Sequence, residues 1–241
     1  MNPTPLNLLA FDTSTEQLSV AVQRGADGPR WAHTGAGGAQ ASATLIPTVQ
    51  ALLAEAGLAL RELRAIVFGR GPGSFTGLRT ACSVAQGLAW GAGVPVLPVD
   101  SLLAVAEATR QSQADANAAL RVLALLDARM GEVYAADYAW SPAGGWQVLA
   151  DAVVLPPESV AAPAPGTLLA GNAATVYADR LPAAVRALPS VQVLPTADAL
   201  LGLAPTLLAA GRAVPADQAL PLYIRDKVAL TTAERENKSP G

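Results

Sequence analysis

The chain is poor in the residues that build redox and metal centres. Its 241 residues include one cysteine, Cys82, and one histidine, His33. A single cysteine excludes an internal disulfide and a thiolate metal cluster, and it is typical of a reducing compartment. A single histidine excludes a two-histidine metal site. Because His33 is expected at the end of a surface strand and Cys82 in the core, neither predicts a nucleophile paired with a base.

Charge is also scarce. Charged residues make up 15% of the chain, and the mean hydropathy of +0.33 indicates that some surface meets a partner. The net charge of −3 and the pI near 5.2 argue against an autonomous nucleic-acid binder, which usually carries a basic surface. Any contact with RNA is therefore expected to be shared with a partner.

Signals for export or membrane insertion are missing as well. The first residues lack the basic start and apolar stretch of a signal peptide. Residues 31–54 carry no Asp, Glu, Lys or Arg, but their glycines and Pro47 make a poor membrane span. We expect a cytoplasmic protein without a membrane segment.

What the chain does contain is a repeated pattern. An apolar strand, Leu6 to Phe11, ends in Asp12, and an alternating strand returns over 18–22. A second apolar strand ends in Asp127 and is followed by a returning strand over 132–138. The repeat predicts an α/β fold of two duplicated lobes, each a mixed sheet covered by helices.

Other elements follow from hydrophobic periodicity and from the positions of glycine and proline. Further strands are predicted at 31–34, 65–68, 94–99 and 167–171, and the last folded element at 220–225. Helices are predicted at 42–56, 76–90 and 102–110, after residue 171 in an alanine-rich segment, and at 197–211. The segments around 156–166 are predicted to be irregular.

The stretch RGPGSFTGLR, from Arg70 to Arg79, allows two interpretations. It follows a strand and precedes a helix, where backbone N–H groups and the helix dipole attract a phosphate. It lacks the lysine of a Walker A loop and the third glycine of a dinucleotide fingerprint. A tight turn that caps the helix with Ser74 or Thr76 also explains it and is the interpretation that the sequence favours.

The acidic turn after the first strand is similarly ambiguous. Asp12 and the hydroxyl residues after it are suited to hold a magnesium ion through water, as in actin-like ATPases. The same residues are suited to an Asx-turn that closes the hairpin. The glycine that those ATPases have in this turn is absent here.

The helices predicted at 42–56 and 76–90 stand out because they are poor in charge on every face. In the second, small residues recur at every fourth position, at Gly77, Ala81, Ala85 and Ala89, which allows another backbone to approach closely. The pair is either deep core or a partner surface.

Four segments together resemble one family of proteins. They are LAFDTSTE from Leu9, GRGPGSFTGLR from Gly69, DARMGEVY from Asp127 and PLYIRDKVA from Pro221. In this order they resemble the TsaB family, also called YeaZ. The resemblance implies an actin-like, Hsp70-type ATPase fold of the ribonuclease H-like class. We assign residues 1–111 to the N-terminal lobe, 112–230 to the C-terminal lobe and 231–241 to a mobile tail.

The resemblance also implies a function. TsaB-like proteins are non-catalytic scaffold or activator subunits that pair with the related TsaD and with the ATPase TsaE. The complex transfers threonylcarbamoyl from threonylcarbamoyl-adenylate to the adenosine beside the anticodon of tRNAs that read ANN codons. We therefore expect no catalytic residue, metal or cofactor of the chain's own, with ATP and a divalent metal belonging to the partner subunits. Contact with tRNA is expected only within the complex, and a homodimer when the chain is alone.

Two sets of site residues follow from the resemblance. The surface that pairs with TsaD or with a second copy is predicted on the two charge-poor helices, at Leu45, Val49, Leu52, Gly77, Thr80, Ala81, Val84 and Leu88. A vestigial or shared nucleotide contact is predicted at Asp12, Ser14, Arg70, Gly73 and Ser74. One departure is Ala41, where the family often has histidine. The alternative is an ATP-dependent actin-like phosphotransferase or hydrolase that uses Asp12 and Asp127.

Overall fold

The computed structural model describes residues 5–225 and contains two five-stranded sheets. The predicted tail at 231–241, and the end of the segment that begins at Pro221, lie outside these residues. The strands of the first sheet are Leu8–Asp12 (β1), Gln17–Gln23 (β2), Arg30–Ala36 (β3), Ala65–Gly71 (β4) and Val96–Asp100 (β5). Those of the second are Leu120–Arg129 (β6), Glu132–Ser141 (β7), Gly145–Leu155 (β8), Thr167–Ala170 (β9) and Ser190–Val191 (β10). The helices are Ala41–Ala56 (α1), Phe75–Ala92 (α2), Ser101–Ser112 (α3), Ala173–Val176 (α4), Ala183–Arg186 (α5) and Ala197–Ala209 (α6).

The two sheets have the same topology. The first runs β3-β2-β1-β4-β5, and the second runs β8-β7-β6-β9-β10. In each, the strand that ends in the acidic turn pairs antiparallel with the strand after it and parallel with a later strand. The predicted duplication and the α/β class with mixed sheets are confirmed.

Strands β1, β2 and β4 of the first sheet are buried on both faces because helices cover both. Every residue of β1 is buried, as expected for a continuous apolar run in the centre of a sheet. Phe11 lies opposite Phe68 on the face that α1 and α2 cover, and Leu8 faces the side that α3 and α6 cover. These contacts fix where β1 ends, and thus where Asp12 lies.

Helix α3 packs against both sheets and carries a buried carboxylate. The Glu107 side chain, 3% exposed, accepts two hydrogen bonds from the Arg110 guanidinium, at 2.8 and 2.7 Å. The indole Nε1 of Trp146 on β8 also donates to it, at 2.9 Å, as does the amide of Gln111. Helix α6 approaches closely at Gly202, where a Cβ would be 2.7 Å from the Glu107 carboxylate. The cluster therefore joins α3, α6 and the second sheet.

The structure contains elements that the sequence analysis does not predict. Strand β8 has five consecutive exposed residues and two register shifts against β7, which remove the alternation that marks a half-buried strand. The helix predicted after residue 171 is one turn long, since α4 ends at Val176 and Pro182 starts the separate helix α5.

The lobe boundary predicted at residues 111 and 112 falls where the chain passes from the first sheet to the second. The later helix α6, however, packs against β1, β2 and β4 of the first sheet. Residues 216–218 lie against α2. The division into lobes thus stays a prediction, and the chain returns to the first sheet after residue 196. Within residues 5–225, no helix is long and apolar enough to cross a membrane.

Candidate functional site

The glycine-rich stretch and the acidic turn meet at one wall of a cleft of ≈ 390 Å³ between the sheets. Strand β4 ends at Gly71, whose φ of 115° lies in the region that favours glycine. A Cβ there would also be 2.8 Å from the Leu222 carbonyl oxygen. The chain turns through residues 72–74 and enters α2 at Phe75. This is the sharp strand-to-helix turn that the sequence predicts.

The backbone amide at the start of α2 is already occupied. Ser74 N donates to the carbonyl oxygen of Ser14, at 2.8 Å. A Cβ at Gly73 would be 2.5 Å from the same oxygen, and one at Gly77 would collide with the Thr13 carbonyl. Thr13 Oγ1 donates to the Gly77 carbonyl oxygen at 2.7 Å. The acidic turn thus packs directly against the start of α2 and occupies one of the backbone donors there, that of Ser74.

Asp12 points into the protein rather than into the cleft. Its carboxylate is fully buried and accepts from Ser14 N and Ser14 Oγ, both at 2.7 Å, and from Ser101 Oγ at 3.2 Å. The Ser14 N bond is the one that defines an Asx-turn. Burial raises the pKa of Asp12, and the hydrogen bonds from Ser14 and Ser101 lower it by less. A Cβ at Gly69 would overlap with this carboxylate, so the glycine is required by it.

The five predicted nucleotide-contact residues are therefore divided. Ser14, Gly73 and Ser74 line the cleft. Asp12 is buried at the end of the central strand β1, and the Arg70 guanidinium donates to Asp100 Oδ1 at 2.5 Å. The prediction for Asp12 is corrected, because its side chain is fully buried and does not line the cleft. Arg70 does not line the cleft either, but its side chain is partly exposed, so a contact there stays a prediction. A nucleotide contact at the other three stays a prediction.

The opposite wall of the cleft is formed by the turn between β6 and β7. The Asp127 carboxylate accepts from Tyr177 OH at 2.7 Å and from Arg129 N at 2.8 Å. The backbone N–H of Asp127 donates to Asn172 Oδ1 at 2.9 Å. Arg129 and Met130 have φ angles of 62° and 55°, in the left-handed region. Asp127 thus occupies the place in its sheet that Asp12 has in the first and accepts the same Asx-turn bond, but its carboxylate is also held by Tyr177.

The two walls of the cleft are joined by a segment whose contacts the sequence does not predict. We call residues 219–225 the strap. The Ala219 carbonyl oxygen accepts from Cys82 Sγ, at 2.9 Å, and from Gln86 Nε2, at 2.8 Å. Leu222 N donates to the Arg70 carbonyl oxygen at 2.7 Å. The predicted core position of Cys82 is thus confirmed, since it packs in the first core cluster.

The far end of the strap is attached to the second sheet. The Tyr223 ring lies 5.1 Å from that of Phe75, and Ile224 packs against the core of the second sheet. Arg225, whose side chain is 9% exposed, donates to Glu132 Oε2 at 2.5 Å and to the Ala128 carbonyl oxygen at 3.2 Å. The strap has no regular secondary structure, so periodicity gives no signal for these contacts.

The eight positions predicted for a partner surface lie largely inside the chain. Leu45, Val49, Leu52 and Ala81 belong to the first core cluster, and Gly77 is buried against Thr13. These five are corrected to core positions, because α1 and α2 turn them toward the sheet. Thr80, Val84 and Leu88 are half-buried. Ala41 is fully buried.

The outer faces of α1 and α2 are nevertheless short of charge. We call the exposed residues of α1 that precede Glu55, together with those of α2 that follow Arg79, the outer face. They are Ser42, Ala43, Thr44, Ile46, Pro47, Gln50, Ala51, Ala54, Ser83, Gly87, Trp90 and Gly91. Trp90 is 77% exposed and Ile46 41%. That this face meets a partner stays a prediction. Within residues 5–225, no group of three or more His, Cys, Asp or Glu is placed to hold a metal ion.

Comparison with known proteins gives several matches. The family model TsaD, tRNA N6-adenosine threonylcarbamoyltransferase, matches residues 37–230. The tRNA threonylcarbamoyladenosine biosynthesis protein TsaB of Escherichia coli strain K12 is 41% identical over 155 residues, which are 64% of this chain and 64% of that protein. The protein of the same name from Haemophilus influenzae is 44% identical over 131 residues, 54% of this chain and 52% of that one. The matched part is therefore less than two thirds of either relative.

A solved structure extends the match to almost the whole chain. YeaZ from Pseudomonas aeruginosa is 41% identical, with a TM-score of 0.81, over 90% of this chain and 99% of that one. Its coverage includes both sheets, and with the TsaD match it places the chain in the actin-like ATPase type of fold. The chain therefore belongs to the TsaB family, also called YeaZ, among the proteins that match the TsaD family model.

Proposed function

We propose that this protein takes part in tRNA threonylcarbamoyladenosine biosynthesis as a non-catalytic subunit. It pairs with TsaD, works together with TsaE, and activates transfer of threonylcarbamoyl from threonylcarbamoyl-adenylate to the adenosine beside the anticodon. ATP and the divalent metal belong to the partner subunits, and tRNA binds to the complex. The names of the Escherichia coli and Haemophilus influenzae relatives support the pathway.

The observation that carries the non-catalytic role is the hydrogen bond between Ser74 N and the Ser14 carbonyl oxygen. Through it, the acidic turn takes up the Ser74 N–H, one of the backbone donors that an anion at the start of α2 would use. Asp12 is the carboxylate of this acidic turn, and it is fully buried among the hydroxyl groups of Ser14 and Ser101. Catalysis by Asp12 would require these packed contacts to open.

The outer face supports the role of a partner-binding subunit. It is free of ionised side chains, and an interface core is depleted in charge relative to the rest of a protein surface. Trp90 supplies a large exposed aromatic side chain, the residue type that most often dominates interface energetics. Gly87 and Gly91 have no atom within 4 Å of a Cβ placed on them, so a partner backbone has room to approach.

Reconstitution tests the proposal directly. The purified chain alone should transfer no threonylcarbamoyl to tRNA, and it should stimulate transfer when it is added to TsaD and TsaE with ATP and tRNA. Absence of stimulation would contradict the proposed role. ATP hydrolysis by the isolated chain, lost in Asp12→Ala, would instead favour the phosphotransferase or hydrolase that the sequence leaves open.

A pair of variants tests where the partner binds. Ser83→Arg places a charge on the outer face at an exposed position, so the monomer should fold normally while stimulation of TsaD is lost. Ala184→Arg, exposed on α5 beside the second sheet, is the matched control and should stimulate normally. If the two variants stimulate TsaD equally, TsaD does not bind to the outer face.

A further inference from the structure

One face of the second sheet is covered less completely than the corresponding face of the first. In the first sheet, the connection from β3 to β4, residues 37–64, contains α1, which packs against β2 and β3. In the second sheet, the connection from β8 to β9, residues 156–166, contains one 3₁₀ turn, Pro157–Ser159, and no α-helix. Both connections are crossovers between parallel strands in sheets of the same topology, so their right-handedness puts them on corresponding faces. Within residues 5–225, the second sheet therefore lacks a counterpart of α1.

The remainder of this face is covered as in the first sheet. Helices α4 and α5 follow β9, as α2 follows β4. Ala173 of α4 and Val185 of α5 pack in one core cluster with Leu125 of β6 and Leu169 of β9. The missing helix thus affects the part of the face that β7 and β8 form, which corresponds to the part that α1 covers in the first sheet.

A groove of ≈ 460 Å³ lies on this part of the face. Its apolar lining comes from three strands and from the connection, namely Leu123, Ala135, Val153, Leu155 and Val160. Val153 lies opposite Ala135 in the β7–β8 ladder and is 48% exposed. In the first sheet, Trp31 of β3 lies opposite Val22 and packs against the core cluster to which α1 contributes. Apolar surface that the first sheet buries is therefore left in water on the second, and covering it is favourable.

The charges around the groove are unbalanced. Arg121 and Asp137 line the groove and form a salt bridge with each other, at 2.5 Å. Asp151 of β8 also lines the groove and is exposed, and within residues 5–225 it forms no salt bridge. From residue 159 to residue 178 the chain carries no Asp, Glu, Lys or Arg. The groove thus presents apolar surface beside one unpaired negative charge.

We propose that this groove binds an amphipathic α-helix of another protein, with the apolar side of the helix on Val153 and Leu155 and a basic residue beside Asp151. The first sheet shows the shape that fits, since α1 covers the corresponding strands with apolar side chains at helical spacing. Helices of this kind bind in grooves through anchors at positions i, i+4 and i+7. Charge complementarity with Asp151 selects a basic partner over an acidic one.

This surface lies on the second sheet, so it is distinct from the outer face on which TsaD binds in the proposed function. The inference goes beyond that function and does not depend on it. Its test measures peptide binding by this chain alone, and its outcome is therefore separate from stimulation of TsaD.

Fluorescence anisotropy with a designed helical peptide tests the groove. The peptide has leucines at the spacing of Leu45, Val49, Leu52 and Leu53, lysines flanking them and alanine elsewhere. It should bind the full chain saturably, and a peptide with glutamate in place of lysine should bind more weakly. Val153→Glu should weaken binding of the lysine peptide about tenfold or more, because it places a carboxylate beneath apolar side chains.

A control on the same strand separates the two faces of the sheet. Val148 is 58% exposed and lies opposite Tyr138, which belongs to the core cluster on the other face. Val148→Glu should therefore leave peptide binding unchanged. Circular dichroism checks that both glutamate variants fold, as expected for substitutions at exposed positions.

Charge reversal tests the chemistry of the partner. Asp151→Lys should weaken binding of the lysine peptide about threefold to tenfold and strengthen binding of the glutamate peptide, as expected for an exposed ion pair. Asp217→Lys changes the net charge equally at an exposed position away from the groove and should have no effect. Equal effects of the two reversals would mean that only net charge attracts the peptide, and would overturn the proposal.

Two further outcomes would also overturn it. One is the absence of saturable binding, or binding that Val153→Glu does not weaken. The other is self-association of the chain, measured by analytical ultracentrifugation, that is lost in Val153→Glu and kept in Val148→Glu. That result would make a second copy of the chain, rather than a basic helix of another protein, the occupant of the groove.

Discussion

The carbonyl oxygen of Ser14 lies 2.8 Å from the amide nitrogen of Ser74, which makes the acidic turn of β1 a cap for helix α2. The glycine-rich stretch before α2 and the acidic turn after β1 both have sequence features of a phosphate-binding site. Here they satisfy each other, because Gly73 and Gly77 allow the backbone of residues 13 and 14 to approach directly.

Gly77→Ala should destabilise the chain. A Cβ there collides with the Thr13 carbonyl oxygen, and overpacking of this kind costs about 1–3 kcal/mol. Gly87→Ala on the same helix is the control: its Cβ meets no atom within 4 Å. Since alanine favours a helix over glycine by about 1 kcal/mol, the control should be more stable than the parent. Urea unfolding measures both, and equal shifts would contradict the close approach.

Asp12→Asn should fold and should stimulate TsaD like the parent. The asparagine oxygen can accept from Ser14 N and Oγ, and its amide can donate to the Ser101 hydroxyl. Asp12→Ala leaves these groups unpaired, at a cost of about 1–3 kcal/mol in unfolding free energy. Loss of stimulation in a folded Asp12→Asn protein would point to a chemical role for the carboxylate.

The difference in unfolding free energy between Asp12→Asn and the parent should depend on pH. Burial raises the pKa of Asp12 above its ordinary value of 3.8, so the folded chain binds this proton more tightly than the unfolded chain. The resulting stability is fully present below the unfolded pKa and is lost as pH rises through the folded pKa. The unfolding free energy of Asp12→Asn relative to the parent should therefore rise over this window and then stay level. A relative stability that falls with pH would contradict the raised pKa.

Glu107→Ala should be strongly destabilising. It leaves the guanidinium of Arg110 and the indole N–H of Trp146 without their carboxylate, and removing one partner of a buried pair typically costs about 3–5 kcal/mol. Glu55→Ala, exposed on α1, is the matched control and should stay within about 0.5 kcal/mol of the parent. Thermal and urea unfolding compare them, and a small effect at Glu107 would mean that the cluster rearranges.

Arg225→Ala should loosen the end of the strap. It removes the bonds to Glu132 and to the Ala128 carbonyl oxygen, and hydrogen bonds to charged groups contribute about 1.5–3 kcal/mol each when buried. Hydrogen exchange of the amides between β6 and β7 should accelerate more than that of β1. Leu220→Ala, at a position 65% exposed, should leave both rates unchanged. Unchanged exchange in Arg225→Ala would show that the turn holds without the strap.

Much of this fold is predictable because its elements carry strong local signals. The apolar runs of β1 and β6 end in aspartate, and the predicted repeat of strand, acidic turn and strand is present in both sheets. Strand β8 escapes prediction because its register shifts break the alternation, and the strap escapes because isolated side-chain contacts leave no period. The inward direction of Leu45 and Val49 also needs the sheet, since helical periodicity identifies a face but not what covers it.

The sequence by itself determined the family, the duplicated strand-turn-strand units and the sharp glycine turn before α2. These depend on residue order, on hydrophobic period and on the backbone freedom of glycine. Only the tertiary structure decided what the turn and the acidic residues do there. Asp12 and Asp127 have the same place in the repeat, but the first is buried under Gly69 and the second is held by Tyr177. Such contacts join residues 50 or more positions apart, and their geometry is fixed by packing between elements rather than by either segment alone.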